Sequence, residues 1–373
     1  MAEQFQLREV FNPNLVDRLS RKIFAAWPKF KREAFVSAVV PQIAPLSFGD
    51  RSSLIADALR RYLPQDYEAA VAVLIAALGS EPTGDALDGN EGFEIMPQCL
   101  FVSRYGLDHF DVSMNALYEM TKRFTAEGDI RPFIQKYPQK TMDFLHQLTQ
   151  DPSPFARRLA SEGTRPRLPL APRLPEFQKD PAPVIEILEK LKLDPNLMVR
   201  RSVANNLNDI AKDNPDIVVA TLKRWRTIDT PEMDWLIAHA LRTLLKQGHA
   251  GALRLQGYEP EARVVVSELQ LSRTKIKVGE DLTFSFRVTS QEERPCALMI
   301  DYVIHYMKAN GKTKPKVFKA VKKTLEPGQA ITINKTRSFA RINTRPYYPG
   351  LHSLEIQING KRHLGVDFYL IVS

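Results

Sequence analysis

Hydrophobic residues recur with a helical period from about residue 14 to residue 251. The first helix carries Leu15, Leu19 and Ile23 on one face, at four-residue spacing. A later helix is bracketed by Asp66, a residue type that caps helix N-termini, and by Gly79, a residue type that stops helices. This part of the chain therefore predicts an all-α region of amphipathic helices.

Two of these helices share a start motif, and the two copies lie 43 residues apart. Asp151-Pro152 and Asp194-Pro195 each precede a helix, and an arginine pair begins six residues after each aspartate. The aspartate can cap free N–H groups, and proline sets the first helical turn. A weaker third copy begins at Asp229. Helix pairs with a period of about 40 residues are typical of HEAT-like repeats, so we expect a HEAT-like solenoid with a concave surface.

After Glu259-Pro260 the hydrophobic period changes from helical to alternating. About seven short strands are expected, with turns at Asn310-Gly311 and Asn359-Gly360. The predicted strands lie in 274–288, 298–306, 330–333, 350–358 and 366–372. This spacing predicts an all-β immunoglobulin-like sandwich without its disulfide. The expected domains are thus a helical domain over 1–260 and a sandwich over 261–373.

Composition supports a folded protein and excludes several classes. The chain has 373 residues, of which 44% are hydrophobic and 25% charged, which excludes a collagenous or wholly disordered chain. Cys99 and Cys296 are far apart and lie in no CxxC spacing, so we expect a reducing compartment and no structural zinc. No signal peptide, membrane span, nucleotide loop or histidine cluster is recognisable, so we expect a cytoplasmic protein without cofactor, metal or membrane.

Positive charge is concentrated in the later parts of the chain. The formal net charge is +9, the first 120 residues are net acidic, and residues 261–373 alone carry +9. A localised excess of this kind predicts a polyanion partner such as DNA. The densest run consists of Lys308, Lys312, Lys314, Lys316, Lys319, Lys322 and Lys323.

We expect Lys314, Lys316 and Lys319 to contact phosphates from a hairpin of the sandwich and to help close a clamp on DNA. Other residues expected at this edge are Arg341, Arg345, Tyr347, Tyr348 and Arg362. The alternative is that the lysines protect a strand edge against aggregation.

Three carboxylates stand near the ends of predicted inner helices. Glu127, Glu162 and Asp209 are separated by 35 and 47 residues, close to one repeat each, so a solenoid would present them side by side. The acids are flanked by arginines, which we expect to bind phosphates. These are Arg157, Arg158, Arg165, Arg167, Arg200 and Arg201. Acids within a basic groove suit the stabilisation of a cation. Alternatively, they cap helices or pair with the arginines.

Three segments of the chain carry a resemblance to a known family. Residues 161–169, Ser-Glu-Gly-Thr-Arg-Pro-Arg-Leu-Pro, closely resemble a segment of the AlkC family of bacterial DNA alkylation-repair glycosylases. Residues 117–133 and 200–210 are similar to the stretches around its first glutamate and its active-site aspartate. A subset of the family also carries a C-terminal immunoglobulin-like domain. One departure is Leu170, because the family usually has tryptophan there.

The resemblance implies that Glu127, Glu162 and Asp209 match the catalytic acids of the family. It implies a monofunctional DNA N-glycosylase that removes 3-methyladenine and 3-methylcytosine from double-stranded DNA without base flipping. Both bases carry a positive charge, so the leaving base needs no general acid, and the acids stabilise the sugar cation and position water. We expect a monomer. The alternative is a non-catalytic HEAT-repeat scaffold that binds DNA or an acidic protein.

Overall fold

The structure is a computed structural model that describes residues 6–82, 91–342 and 346–372. The chain forms two compact units, one from residues 1–214 and 228–240 and the other from residues 215–227 and 241–373. Among the described residues, no helix is both long and apolar enough to cross a membrane.

The first unit is entirely helical in its described part. Short 3₁₀ turns at Leu7–Val10 and Glu91–Ile95 accompany its α-helices. The first six of these helices are α1 (Pro13–Ala26), α2 (Arg32–Ile43), α3 (Phe48–Tyr62), α4 (Tyr67–Ala76), α5 (Met96–Tyr105) and α6 (Phe110–Thr121). The next six are α7 (Arg131–Lys136), α8 (Pro138–Leu148), α9 (Pro154–Gly163), α10 (Pro175–Lys179), α11 (Ala182–Leu191) and α12 (Leu197–Ile210). The last is α14 (Pro231–Ala240).

Local chemistry explains where these helices begin. The Asp66 carboxylate caps α4 by accepting from the Ala69 N–H at 2.8 Å, as the sequence predicts. Helix α1 starts in the same way, because Asn12 accepts from the Leu15 N–H at 3.0 Å and proline occupies the first helical position.

The helices α6, α9, α12 and α14 pack successively in a row, with α8 and α11 behind α9. The two predicted start motifs have the same geometry. Arg157 Nη1 donates to the carbonyls of Asp151 and Pro152 at 2.8 and 3.0 Å. Arg200 Nη1 donates to those of Asp194 and Pro195 at 2.6 and 2.9 Å. The prediction of a HEAT-like helical repeat is confirmed.

The described part of the second unit combines three helices with eight strands. The helices are α13 (Pro215–Trp225), α15 (Arg242–Gln247) and α16 (Ala250–Leu255). The strands are β1 (Val264–Leu271), β2 (Lys275–Lys277), β3 (Asp281–Ser290), β4 (Cys296–Met307), β5 (Thr313–Leu325), β6 (Ala330–Ser338), β7 (Gly350–Ile358) and β8 (Lys361–Ile371). They form a three-stranded sheet, β1-β3-β6, and a five-stranded sheet, β2-β8-β7-β4-β5. The predicted immunoglobulin-like sandwich is confirmed, and its core includes Phe284, Phe286 and Ile304.

The described residues contain eight strands rather than the seven or so expected. Strand β1 pairs with β3, and the lysine-rich segment is itself the long edge strand β5. The segment shows no clear alternation, since exposed lysines lie on both of its faces. Without that alternation, the sequence pattern does not reveal a strand.

The loop between α15 and α16 packs against the turn between β7 and β8. A Cβ placed on Gly248 would lie 2.9 Å from Gly360, and one placed on Gly360 would lie 2.0 Å from Gly248. Both glycines also have positive φ angles, of +75° and +82°. Asn359 of the same turn donates to the Glu259 carbonyl at 2.8 Å. The last helices therefore pack tightly on the sandwich.

Candidate active site

The three candidate acids lie at or beyond the C-terminal ends of neighbouring helices. Glu127 lies in the turn between α6 and α7, Glu162 is the penultimate residue of α9, and Asp209 is the penultimate residue of α12. Because α6, α9 and α12 are consecutive in the row, their ends bring the three side chains together. The negative end of a helix dipole disfavours a carboxylate, so the acids need nearby cations.

Arg165 joins Glu162 to Asp209. Its Nη1 donates to Glu162 Oε1 at 2.6 Å, and its Nε donates to Asp209 Oδ2 at 2.8 Å. Lys212 donates to the other oxygen of Asp209 at 2.8 Å. Burial alone would lower the pKa of the Arg165 guanidinium, but the two carboxylates raise it above its ordinary value. Arg165 therefore stays charged and holds the two acids in fixed positions.

Arg158 joins Glu127 to the same group through longer contacts. Its Nη1 and Nη2 lie 3.4 Å from the two oxygens of Glu127, and Nη2 lies 3.8 Å from Glu162 Oε1. Nη1 also donates to Thr125 Oγ1 at 3.1 Å. We call Glu127, Glu162, Asp209, Arg158, Arg165 and Lys212 the acid cluster.

Neutral side chains of α12 donate hydrogen bonds to Glu162 and to the backbone next to it. Ser202 donates its hydroxyl to Glu162 Oε2 at 2.6 Å, and Asn206 donates to the Ser161 carbonyl at 2.7 Å. Both residues are buried, so these bonds are shielded from water. Ser202 and Asn206 carry no motif that singles them out in the sequence, although Ser202, Asn206 and Asp209 follow one another at helical spacing along a buried stripe.

A buried arginine organises the loop that follows α9. Arg131 Nη1 donates to the carbonyls of Gly163 and Arg165 at 3.0 and 2.8 Å, and its Nε donates to Pro172 at 2.7 Å. Burial, with a contribution from the Arg165 charge, lowers the pKa of Arg131 to about 10. The loop is thereby fixed at both ends, and Leu170 within it is 86% exposed at a φ of +61°. It thus presents an apolar side chain to solvent.

A second carboxyl lies two residues from Glu127. Asp129 accepts a hydrogen bond from the Ser103 hydroxyl at 2.7 Å. Burial raises the pKa of Asp129 to about 7, and the Glu127 charge acts in the same direction. The turn that carries Glu127 is thus anchored by a carboxyl that is partly protonated near neutral pH.

The structure separates the arginines that were expected to grip phosphates. Arg157 is bidentate to the buried Asp194, at 2.6 and 3.0 Å, and Arg167 is bidentate to Asp213, at 2.8 and 2.6 Å. Arg201 is exposed, and the described residues provide no ion-pair partner for it. In both repeats the first arginine of the pair therefore holds the helix start, whereas the second does not: Arg158 joins the acid cluster and Arg201 is exposed.

The lysines of β5 lie on two faces of the strand. Lys314 and Lys316 pair with Tyr306 and Ile304, whose side chains belong to the sandwich core. Lys319 lies beyond a register shift, opposite the buried Asp301. Burial raises the pKa of Asp301 to about 6, and nearby lysines, Lys319 among them, act against this rise.

The other residues expected at this edge differ in their surroundings. Arg341 is exposed, Arg362 donates to Glu355 at 3.2 Å, and Tyr347 packs on Phe339 with ring centroids 5.6 Å apart. Tyr348 is partly buried, and Arg345 lies outside the described residues. Over the described ranges, no group of His, Cys, Asp or Glu side chains is arranged to hold a metal ion.

These features define a class: a HEAT-like helical-repeat protein with an immunoglobulin-like domain and an acid cluster on neighbouring helices. Residues 265–372 match the family model described as "Uncharacterised protein YhaZ, C-terminal Ig-like domain". "Uncharacterized protein YhaZ" of Bacillus subtilis (strain 168) is 34% identical over 363 residues, which cover 97% of this chain and 98% of that protein.

A solved structure extends the similarity to the whole fold. The Pseudomonas fluorescens alkylpurine DNA glycosylase AlkC, bound to DNA containing an abasic site analog, is 35% identical with a TM-score of 0.89. The match covers 98% of this chain and all of that one. The chain belongs to the family of AlkC and YhaZ, and the resemblance noted in the sequence is confirmed.

Proposed function

We propose that this protein is a DNA glycosylase that hydrolyses the N-glycosidic bond of cationic alkylated bases in double-stranded DNA. The observation that carries the proposal is the convergence of Glu127, Glu162 and Asp209 in one ion-pair network. The family relationship supports it, because AlkC is an alkylpurine DNA glycosylase whose structure contains DNA.

The chemistry suits carboxylates that act without a metal or cofactor. A base alkylated at N3, as in 3-methyladenine or 3-methylcytosine, already carries a positive charge. The bond from C1′ to the base breaks with its electron pair going to the base, which leaves neutral, and positive charge develops on the sugar. Glu162 and Asp209 stabilise that charge from a largely desolvated position. A water molecule then adds to C1′ and gives its proton to one of these carboxylates. Glu127 lies beside Glu162 and Asp209 and completes the set of acids.

The mechanism is monofunctional. The Nζ of Lys212 is held in an ion pair with Asp209 at 2.8 Å, whereas a Schiff base requires a free amine. Hydrolysis therefore leaves an abasic site in an intact strand. We further propose that the base leaves without being flipped into a pocket, and that the protein acts as a monomer in the cytoplasm.

DNA contacts come from both parts of the chain in this proposal. Catalysis belongs to residues 1–260, and residues 261–373 form a DNA-binding domain on which the last helices, α15 and α16, pack. Arg201 and Leu170 are exposed on the unit that contains the acid cluster, and Lys314 and Lys316 are exposed on β5. Arg157 and Arg200 are left out because each guanidinium bonds to backbone carbonyls at its helix start. The prediction that Lys319 contacts phosphate is not carried forward, because Lys319 lies on the other face of β5, opposite the buried Asp301.

The direct test is base release. The protein is incubated with methylated genomic DNA, and the released bases are identified by mass spectrometry. Release of 3-methyladenine and 3-methylcytosine is expected, with strands that break only after alkali is added. A protein that binds the DNA but releases neither base would be a non-catalytic scaffold, and the proposal would be wrong.

A further inference from the structure

Arg158 holds its two acids less tightly than the other cations of the acid cluster hold theirs. Its contacts with Glu127 and Glu162 are 3.4 to 3.8 Å long, whereas those of Arg165 are 2.6 to 2.8 Å. Charge-assisted hydrogen bonds of full strength are about 2.7–2.9 Å long. Breaking the contacts of Arg158 with Glu127 and Glu162 therefore costs less free energy than breaking those of Arg165.

Arg158 also lies at the solvent boundary of the cluster. The side chains of Arg158 and Glu127 are both 18% exposed, whereas those of Glu162 and Asp209 are 8% and 3% exposed. Lys212 is more exposed, at 38%, but its contact with Asp209 is short, at 2.8 Å. A charge that leaves a partly exposed position regains hydration more readily than one that is enclosed. Arg158 is thus placed to exchange its partners.

The charges of the acid cluster balance when no DNA is bound. The carboxylates of Glu127, Glu162 and Asp209 face the cations of Arg158, Arg165 and Lys212. A cationic sugar that formed beside these groups would meet a neutral cluster. The acids stabilise it fully only if one resident cation leaves.

We infer that Arg158 is an exchangeable counter-ion: it occupies the cation position of the empty site and moves to a DNA phosphate when substrate binds. Its departure leaves Glu127 and Glu162 facing the substrate cation. The inference rests on the proposed function, and it makes Arg158 a positioning residue that acts through the two acids. The sequence left two alternatives for these arginines, pairing with the acids and binding phosphates. The inference gives Arg158 both roles, one without DNA and one with DNA bound.

The first test needs no catalysis. Binding to a duplex containing an abasic-site analogue is measured over a range of salt concentrations for the wild type and Arg158→Gln. Each phosphate contact contributes about 0.9 to the slope of log K against log salt, so Arg158→Gln lowers the slope by about that amount. Arg158→Lys, which keeps the charge, preserves the slope, as does Arg61→Gln, a control at an exposed arginine of α3. An unchanged slope for Arg158→Gln would overturn the inference.

The second test compares two pH profiles of excision. The profile of kcat/KM reports the free enzyme, in which Arg158 neutralises the acids, and that of kcat reports the complex, from which it has moved. Arg158→Gln therefore shifts the acid limb of kcat/KM upward by about one pH unit and that of kcat by less than about 0.3. Equal shifts in both would contradict the exchange. The other charged groups around the acids are the same in both proteins: Asp129, Arg131, Arg165, Asp209 and Lys212.

The two tests separate this inference from the proposed function. A wild-type protein that releases no base refutes the glycosylase proposal, while the salt dependence still reports whether Arg158 contacts phosphate.

Discussion

In the helical unit, the arginines at the acid cluster are turned toward carboxylates. In the sandwich, the lysines of β5 are turned toward solvent. Both regions contributed to the same excess of basic residues in the sequence. Arg165 is buried between two acids and fixes their geometry, whereas Lys314 on β5 is exposed and can meet a phosphate. We propose that the buried charges of the first region position the acids and that the exposed charges of the second region attract DNA.

The largest effect is expected when the buried cation Arg165 is removed. Arg165→Met leaves Glu162 and Asp209 without their shared partner in a desolvated position. Loss of one member of a buried ion pair costs about 3–5 kcal/mol of stability, and the altered acids reduce excision by about 10³-fold. Urea unfolding and single-turnover excision measure the two effects. A folded variant with near-normal excision would show that Arg165 does not position the acids.

The low dielectric of the acid region gives a second prediction. The folded-state pKa of Asp129 is raised to about 7, so between about pH 4 and 7 the folded state binds a proton that the unfolded state has lost. Asp129 therefore lowers the free energy of unfolding of the wild type progressively as the pH rises through that range. Asp129→Asn removes this cost, which is about 4 kcal/mol at pH 8 and small at pH 4. Urea unfolding at both pH values measures it, and an equal difference at the two would contradict it.

The lysine strand is tested through the salt dependence of DNA binding. Lys314→Gln/Lys316→Gln removes two cations from one face of β5, so the slope of log K against log salt falls by about 1.8 if both contact phosphates. Lys319→Gln is the matched control on the opposite face, beside Asp301, and we expect it to change the slope by less than about 0.3. A larger change in slope for Lys319→Gln than for the double variant would show that DNA contacts the opposite face of β5.

The smallest expected effect concerns Leu170. An exposed apolar side chain near the acids can contact a sugar or an opened base step, and a larger aromatic side chain offers more contact area. We expect Leu170→Trp to raise kcat/KM by about threefold and Leu170→Gly to lower it by a similar factor, with little change in stability. If neither substitution changes excision kinetics, Leu170 does not contact DNA.

Much of the fold could be predicted because its signals are local. The Asp66 cap, the repeated Asp-Pro starts and the change to an alternating period all depend on neighbouring residues. Glu162 and Asp209 lie at helix ends, as the same pattern predicts, whereas Glu127 lies in the turn between α6 and α7. These signals do not depend on which helices pack together.

The remaining features depend on tertiary contacts. The sequence treats Arg157 and Arg158 alike, but Arg157 turns to Asp194 of the next repeat and Arg158 to Glu127 of the previous one. The face of Lys319 depends on a register shift between Ile300 and Asp301 of the partner strand β4. Neither distinction has a signal in the spacing of residues along the chain.

The most direct test of the acid cluster is the single-turnover rate of 3-methyladenine excision by Glu162→Gln and Asp209→Asn. Each substitution keeps the shape of the side chain and removes its charge. Each is expected to lower the rate about 10²- to 10³-fold, because removing one preorganised electrostatic group has effects of that size. Glu186→Gln, at an acid on α11 whose side chain is 71% exposed, is expected to leave the rate within about twofold. Rates within about threefold of the wild type for both folded variants would contradict stabilisation of the sugar cation by these acids.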